Sequence, residues 1–295
     1  MAPASHAGAI VVSSLVVRSP ISRLARRSYP LTKWRLVRRM GRSEGVPIVV
    51  FCMSKTASSA VVRSLQDVTP QPVFKVHLLR PDSVRRAEAH YRQTDRAARP
   101  RHIFHAAHLL RHPPTAEQPW VVVTIVREPV ARAMSEFFQA GRRLGRLHDA
   151  ATTQALFERF AHDQGVPRTL DWFDAELQPS LGIDVFDHPF DPAVGYATIE
   201  TPAVRLLVLR QESLGVAPRA LAQLLDLPNE VPIVERNVGA DKPYAELYEA
   251  VGRTTRLAAA TLDLAYDSRF ARHFYSPAEI EHLRERWGGL SAPGC

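Results

Sequence analysis

Lys55, Thr56, Ala57, Ser58 and Ser59 stand between an apolar run, Val46 to Cys52, and an alternating stretch that ends near Asp67. An ammonium, three hydroxyls and the first amides of a helix form an anion site wherever a strand hands over to a helix. A Walker loop reads GxxxxGK[ST]; here the lysine comes early and glycine is missing, which disfavours a nucleoside triphosphatase. Alone, the stretch reads equally well as a serine-rich helix start with a solvent lysine. A second constellation lies further on. Arg127 ends the apolar run "WVVVTIV", and Ser135 follows two helical turns into "EPVARAMSEFFQAGRRL", so the pair can grip a second phosphate. His77, in "VFKVHLL", is the first candidate for a general base, because imidazole titrates near neutral pH. The plainer reading of His77 is a core histidine satisfied by backbone. His105 and His108, in "HIFHAAHLL", are second candidates.

The elements that must position these groups follow from periodicity. Val46 to Cys52 reads as a buried strand, and Ser58 to Asp67 as a helix with Val61, Val62 and Leu65 on one face. "VFKVHLL" reads as a second strand, and an arginine-rich helix capped by Asp82 or Ser83 follows to about Ala98. "HIFHAAHLL" is ambiguous. "WVVVTIV" is the strongest strand, and its helix carries Pro129 in the first turn. Strand and helix in alternation over this stretch imply βαβ units and an α/β fold, a central parallel sheet flanked by helices. After about Leu144 the pattern is mostly helical, apart from "YATIETPAVRLLVLR", two strands around a turn. "KPYAELYEAVGRTTRLAAATLDLAY" and "SPAEIEHLRERW" read as the closing helices.

The chain has 295 residues, 45% hydrophobic and 23% charged, enough apolar material for one large domain. Its net charge of +8 is local: residues 1–43 hold nine Lys/Arg and no acid, so the remainder, 8 less 9, sums to about −1. We therefore divide the chain into a basic N-terminal arm, 1–45, and a single domain, 46–290, and expect no nucleic-acid partner. Two cysteines, Cys52 and Cys295, fit a reducing, cytoplasmic compartment, and their spacing offers no structural metal site. "AGAIVVSSLVV" is about half of the roughly 20 apolar residues a membrane span needs. Residues 18–42 can instead lie on an anionic membrane surface, with Trp34, Leu36 and Met40 inserted, or form a solvated leader.

An early-lysine loop after the first strand, followed by R-[DEN]-P-x-x-R-x-x-S after a later one, resembles the sulfotransferase superfamily. The resemblance implies a P-loop-like sulfotransferase fold with a mostly helical C-terminal half, and 3′-phosphoadenosine 5′-phosphosulfate as co-substrate, with no metal. It implies that Lys55, Thr56, Ala57, Ser58 and Ser59 hold the 5′-phosphosulfate, and that Arg127 and Ser135 hold the 3′-phosphate. Lys55 would stabilise charge on the departing nucleotide, and His77, in a K-x-H spacing similar to the family's K-T-H, would be the base. Ala57 departs from the family's loop glycine, and Ala60 from the aromatic that often stacks on adenine. Over residues 46 to 288 the chain also resembles a bacterial family of capsular polysaccharide synthesis proteins, through "VFKVHLL", "WFDAEL", "GIDVFDHPF", "RLLVLRQESL", "ERNVGADKPYAELY" and "SRFARHFYSPAEI". The expectation is sulfuryl transfer to a hydroxyl of a carbohydrate, such as a surface polysaccharide. The alternatives are a non-catalytic assembly protein at the membrane surface, which loss of the loop glycine and the aromatic favours, and a small-molecule kinase. Asp171, Trp172 and Asp174 can line a sugar site or pack in the core. Arg236, Asn237 and Lys242 can touch a phosphate or cap a helix.

Overall fold

Trp120–Val126 (β3) is a run of mostly β-branched side chains, every one buried, as a strand covered on both faces must be. The computed structural model describes residues 45–93, 100–234 and 243–289; the basic arm, Cys295, Arg236, Asn237 and Lys242 lie outside them. Beside β3 runs Ile48–Phe51 (β1), parallel, with Val49 opposite Val122. Val73–Val76 (β2) pairs parallel on the far side of β1, and Val204–Arg210 (β5) parallel on the far side of β3. Tyr196–Glu200 (β4) closes the edge, antiparallel to β5, through a turn in which the Thr201 amide donates to the Val204 carbonyl. The order is β2-β1-β3-β5-β4. The expected parallel sheet is thus present, with one antiparallel edge strand.

Ser58–Val68 (α1) joins β1 to β2, while Pro81–Gln93 (α2) and Arg101–Leu109 (α3) lead to β3. From β1 the chain moves one way to β2, and then back past β1 to β3. The loops after β1 and β3 therefore part company at a topological switch point, where open α/β sheets form their binding crevice.

One core lies between the sheet and α1 together with Ala217–Leu224 (α8), where Val61, Leu65 and Leu221 meet Val50, Val123 and Leu209. A second is helical and is built on Pro129–Leu144 (α4), whose Val130 and Phe138 pack with Phe157, Val251, Tyr266 and Trp287. Glu128 caps α4 by accepting from the Val130 and Ala131 amides, and Gly145 ends it in a left-handed conformation.

One ambiguity is resolved and two expectations are corrected. The ambiguous "HIFHAAHLL" is helix, α3, because Ile103, Ala106 and Leu109 bury at helical spacing. β2 ends at Val76, so His77 stands in the following turn. The long C-terminal helix is two, Ala245–Thr254 (α9) and Ala259–Tyr266 (α10). The Thr254 and Thr255 hydroxyls bond back to the Ala250 and Val251 carbonyls, and the Leu257 amide turns to the Trp287 carbonyl. Between α4 and β4, helices Ala150–Phe160 (α5), Val166–Leu170 (α6) and Gln178–Leu181 (α7) are interrupted by wide π turns at Ala161–Gly165 and Phe173–Leu177. Each π turn stands before a proline, Pro167 or Pro179, whose missing N–H cannot continue an α ladder. Arg269–Phe274 (α11) and Pro277–Gly288 (α12) end the described chain.

Candidate functional site

β1 carries Cys52 to the carboxyl edge of the sheet, and the next five residues turn into α1. Lys55 has φ +74° and Ala57 φ +59°, both left-handed, a conformation that costs a side-chain-bearing residue about 1–2 kcal/mol. The loop therefore takes at Ala57 a shape that glycine adopts freely. Thr56 is wholly buried, and its hydroxyl is committed to the turn, donating to the Met53 carbonyl at 2.9 Å. Ser58 is buried beside the Cys52 thiol, whose pKa burial pushes up. Ser59 accepts from the Lys75 ammonium at 2.7 Å. Ala57 at the N-cap offers no side-chain cap to α1; the Ala60 amide is taken by the Ala57 carbonyl, and the positive end of the helix opens on the crevice.

From β3, Arg127 reaches back across the switch point and donates to the Lys55 carbonyl at 3.0 Å. The two constellations singled out in the sequence thus meet. Ser135 is buried on α4, one turn beyond Ala131 on the same face. It does not line the cavity that Arg127 and Ala131 border.

On the β2 side, His77 Nδ1 lies 2.7 Å from the Cys52 carbonyl. A carbonyl only accepts, so Nδ1 carries the proton and Nε2 keeps its lone pair. Burial, opposed in part by that carbonyl, pushes the His77 pKa down to about 4, and His102 and Lys75 push in the same direction. The backbone of His77 is clamped from the helical half. Trp172 Nε1 donates to its carbonyl at 3.1 Å, and Glu176 accepts from the Leu79 and Arg80 amides. Trp172 is buried with its ring edge-on to Phe51, a core residue that also fixes the turn, and Asp174 is engaged by Arg269.

Of the α3 histidines, the one nearest His77 is His102, with ring centroids 5.1 Å apart and its own pKa held down to about 4, chiefly by burial. His105, a second candidate, instead accepts from the Lys75 amide through Nδ1, and His108 stacks on Phe74. Lys75 was not singled out as a site residue. It lies two residues before His77, half-buried, with its ammonium on Ser59 and its pKa lowered, above all by burial. The K-x-H spacing contained the signal, since it sets Lys75 at the end of β2 two residues before His77.

On the β3–β5 side lies a cavity of about 660 Å³. Its floor is a polar network: Glu128 accepts from Tyr266 at 2.7 Å, and Glu212 accepts from the Glu128 amide and from Tyr275. Burial raises the Glu128 pKa. Arg127, Arg253, Arg256 and Arg286 line the walls. The far wall is tied to β5 by Arg210, whose guanidinium forks onto Glu279, the capping-box residue of α12. Among the described residues no group of three or more metal-ligating side chains converges. No helix there is long and apolar enough to cross a membrane.

This geometry divides between two parts of the chain. Residues 148–276 match a family described as "Putative capsular polysaccharide synthesis protein". No curated protein and no solved structure matches the chain. The matched segment is less than half the chain and excludes both Lys55 and Arg127. It does supply Trp172 and Glu176 behind His77, and Gln211, Glu212, Arg253 and Arg256 around the cavity. The likeness to capsular polysaccharide synthesis proteins therefore rests on the parts that frame the crevice.

Proposed function

We propose that this protein is a sulfotransferase that uses 3′-phosphoadenosine 5′-phosphosulfate to sulfate a hydroxyl of a carbohydrate, in the synthesis of a capsular or other surface polysaccharide. The observation that carries the reading is the bond from Arg127 to the Lys55 carbonyl, which puts an ammonium, an open helix start and a guanidinium at one switch point. These groups fit a ligand with two separated anionic ends. Lys55 and the first turn of α1 would hold the 5′ end, and Arg127, with the arginine-lined cavity, the 3′-phosphate end. Ser135 would support Arg127 from α4 rather than line that cavity.

The bound donor supplies a sulfuryl group for in-line displacement, in which the acceptor oxygen bonds to sulfur as the bridging bond to the nucleotide phosphate breaks. His77 takes the acceptor proton on Nε2, the nitrogen that the Cys52 carbonyl leaves unprotonated. Its low pKa comes first from burial and then from His102 and Lys75; an anionic ligand at the loop raises its proton affinity. Lys55 meets the charge that grows on the departing oxygen. Lys75 keeps the loop in place through Ser59. The single domain over 46–290 carries this chemistry, and the arm over 18–42 would bring it to a membrane surface in the cytoplasm. Strain at Ala57 favours a second reading, a non-catalytic member that keeps the fold and acts in assembly, since a methyl group stands where a phosphate must approach.

Calorimetric titration with 3′-phosphoadenosine 5′-phosphate separates the two. We expect saturable heat in the micromolar range, weakened at least tenfold (about 1.4 kcal/mol) in Lys55→Ala and in Arg127→Ala. Absence of saturable heat from the unaltered chain at high micromolar ligand rejects the enzyme.

A further inference from the structure

Arg142, Arg143 and Arg146 stand at the end of α4 and just past its Gly145 cap, all exposed, and among the described residues none of them has an acidic partner. Other arginines of the helical half are matched: Arg132 and Arg168 share Glu136, Arg159 pairs with Asp163, and Arg269 with Asp174. The unmatched group also converges. Arg142 lies one turn beyond Phe138, whose ring meets that of Tyr244 at a centroid distance of 5.7 Å. Burial raises the Tyr244 pKa, and both Arg142 and Arg143 pull against it.

Where this cluster sits decides what it serves. α4 starts beside Arg127, and its Ala131 lines the cavity. Arg143 lies about 18 Å further along the helix axis, at 1.5 Å per residue, and there it acts on His102. The His102 ring is 5.1 Å from that of His77. α4 thus crosses from the Arg127 side of the crevice to the side of the proposed base. Burial first, then Lys75 and Arg143, hold the His102 pKa down, and no carboxylate among the described residues opposes them. Both anionic ends of the donor are met elsewhere, by the Lys55 loop and by Arg127, so the positive charge at the far end of α4 has a different ligand. Beside His77 that ligand is the acceptor. A membrane fits less well, because a single exposed leucine, Leu144, is little apolar surface for insertion. We infer that the acceptor is an acidic carbohydrate, whose anionic substituents pair with Arg142, Arg143 and Arg146 while one of its hydroxyls reaches His77. The inference rests on the sulfotransferase reading proposed above and gives its acceptor a chemical class.

The test uses the full chain saturated with 3′-phosphoadenosine 5′-phosphate, whose own binding is read first by calorimetry. Oligosaccharides of hyaluronan and alginate, which carry carboxylates, and of a phosphorylated mannan are then titrated. Each is compared with its neutral form, the carboxylates reduced to alcohols or the phosphates removed. At least one acidic sugar is expected to bind, with its neutral form at least about tenfold weaker. Arg142→Ala, Arg143→Ala and Arg146→Ala together should abolish that preference and leave nucleotide affinity unchanged. Arg63→Ala, Arg159→Ala and Arg219→Ala together remove equal charge from other exposed positions and should keep it. If no sugar binds, if acidic and neutral forms bind alike, or if both triple variants behave the same, the inference is overturned and the sulfotransferase reading stands. Arginine-dependent binding only to vesicles of phosphatidylglycerol in phosphatidylcholine also overturns it and assigns the cluster to a membrane surface. No nucleotide binding overturns both readings.

Discussion

Arg127 donates to the carbonyl of Lys55, a residue 72 positions earlier, at 3.0 Å. The contact makes the end of β3 a strut for the loop after β1, so a ligand held by the guanidinium also acts on the loop's shape. Arg127→Lys keeps the charge but loses the planar fork that can serve carbonyl and phosphate together. We expect it to recover only part of the affinity lost in Arg127→Ala, with the remaining deficit about 1 kcal/mol by calorimetry. Full recovery would mean that the tether is irrelevant.

His77 should separate binding from turnover. His77→Asn is expected to lower sulfate transfer from a radiolabelled donor by about 10²–10⁴-fold while leaving nucleotide affinity within about twofold. For the free enzyme, kcat/KM should be flat at neutral pH and fall only as acidity approaches a pKa of about 4, because burial favours the unprotonated imidazole. A fall centred near 6.5 would show that burial does not hold the His77 pKa down in the free enzyme.

The strain at Ala57 predicts that Ala57→Gly raises stability. Relief of the left-handed conformation contributes about 1 kcal/mol, and the greater freedom of glycine in the unfolded chain removes part of it. Urea unfolding should show a net gain of about 0.5 kcal/mol with the m-value unchanged. A net loss would mean that the methyl group makes contacts that matter.

Acid stability follows from the β2 side. His77, His102, His105 and His108 each have a folded pKa of about 4 against an ordinary 6.5, with burial the first cause. Between those values the unfolded chain binds more protons than the folded one, so stability rises with pH across that window and is lost as pH falls from about 6.5 to about 4. Unfolding midpoints in urea at stepped pH should decline from the top of this window. A flat profile down to pH 4.5 would contradict the burial of these rings.

The turn that carries His77 depends on a distant clamp. Trp172→Phe keeps most of the packing on Phe51 but removes the bond to the His77 carbonyl, and Glu176→Gln weakens the grip on the Leu79 and Arg80 amides. Each should cost about 1–2 kcal/mol of stability by urea unfolding. Transfer should fall while nucleotide affinity holds. Unaltered turnover in both variants would show that the clamp does not position the histidine.

Several elements were legible because their cause is local. β3 announced itself through an unbroken run of β-branched residues, and α4 through Pro129 in its first turn. The C-terminal break was not legible, because Thr254 and Thr255 have helix-compatible neighbours and the Leu257 amide is claimed by Trp287, 30 residues on. Lys55, Arg127 and His77 could be named from their types and spacing.

Sequence alone determined which residues carry charge, hydroxyls and imidazole, and that the strands bearing them alternate with helices. Tertiary structure decided which of those residues meet. The order β2-β1-β3-β5-β4 puts His77, the Lys55 loop and Arg127 along one edge of the sheet, brings His102 rather than His105 or His108 to His77, and sets Ser135 off the cavity wall. It also built the cavity from Gln211, Arg256 and Trp287, residues from three separate elements with no motif among them. The physical reason is that motif chemistry depends on residues near one another in sequence. A pocket is made by packing, which joins side chains whose separation along the chain carries no signal.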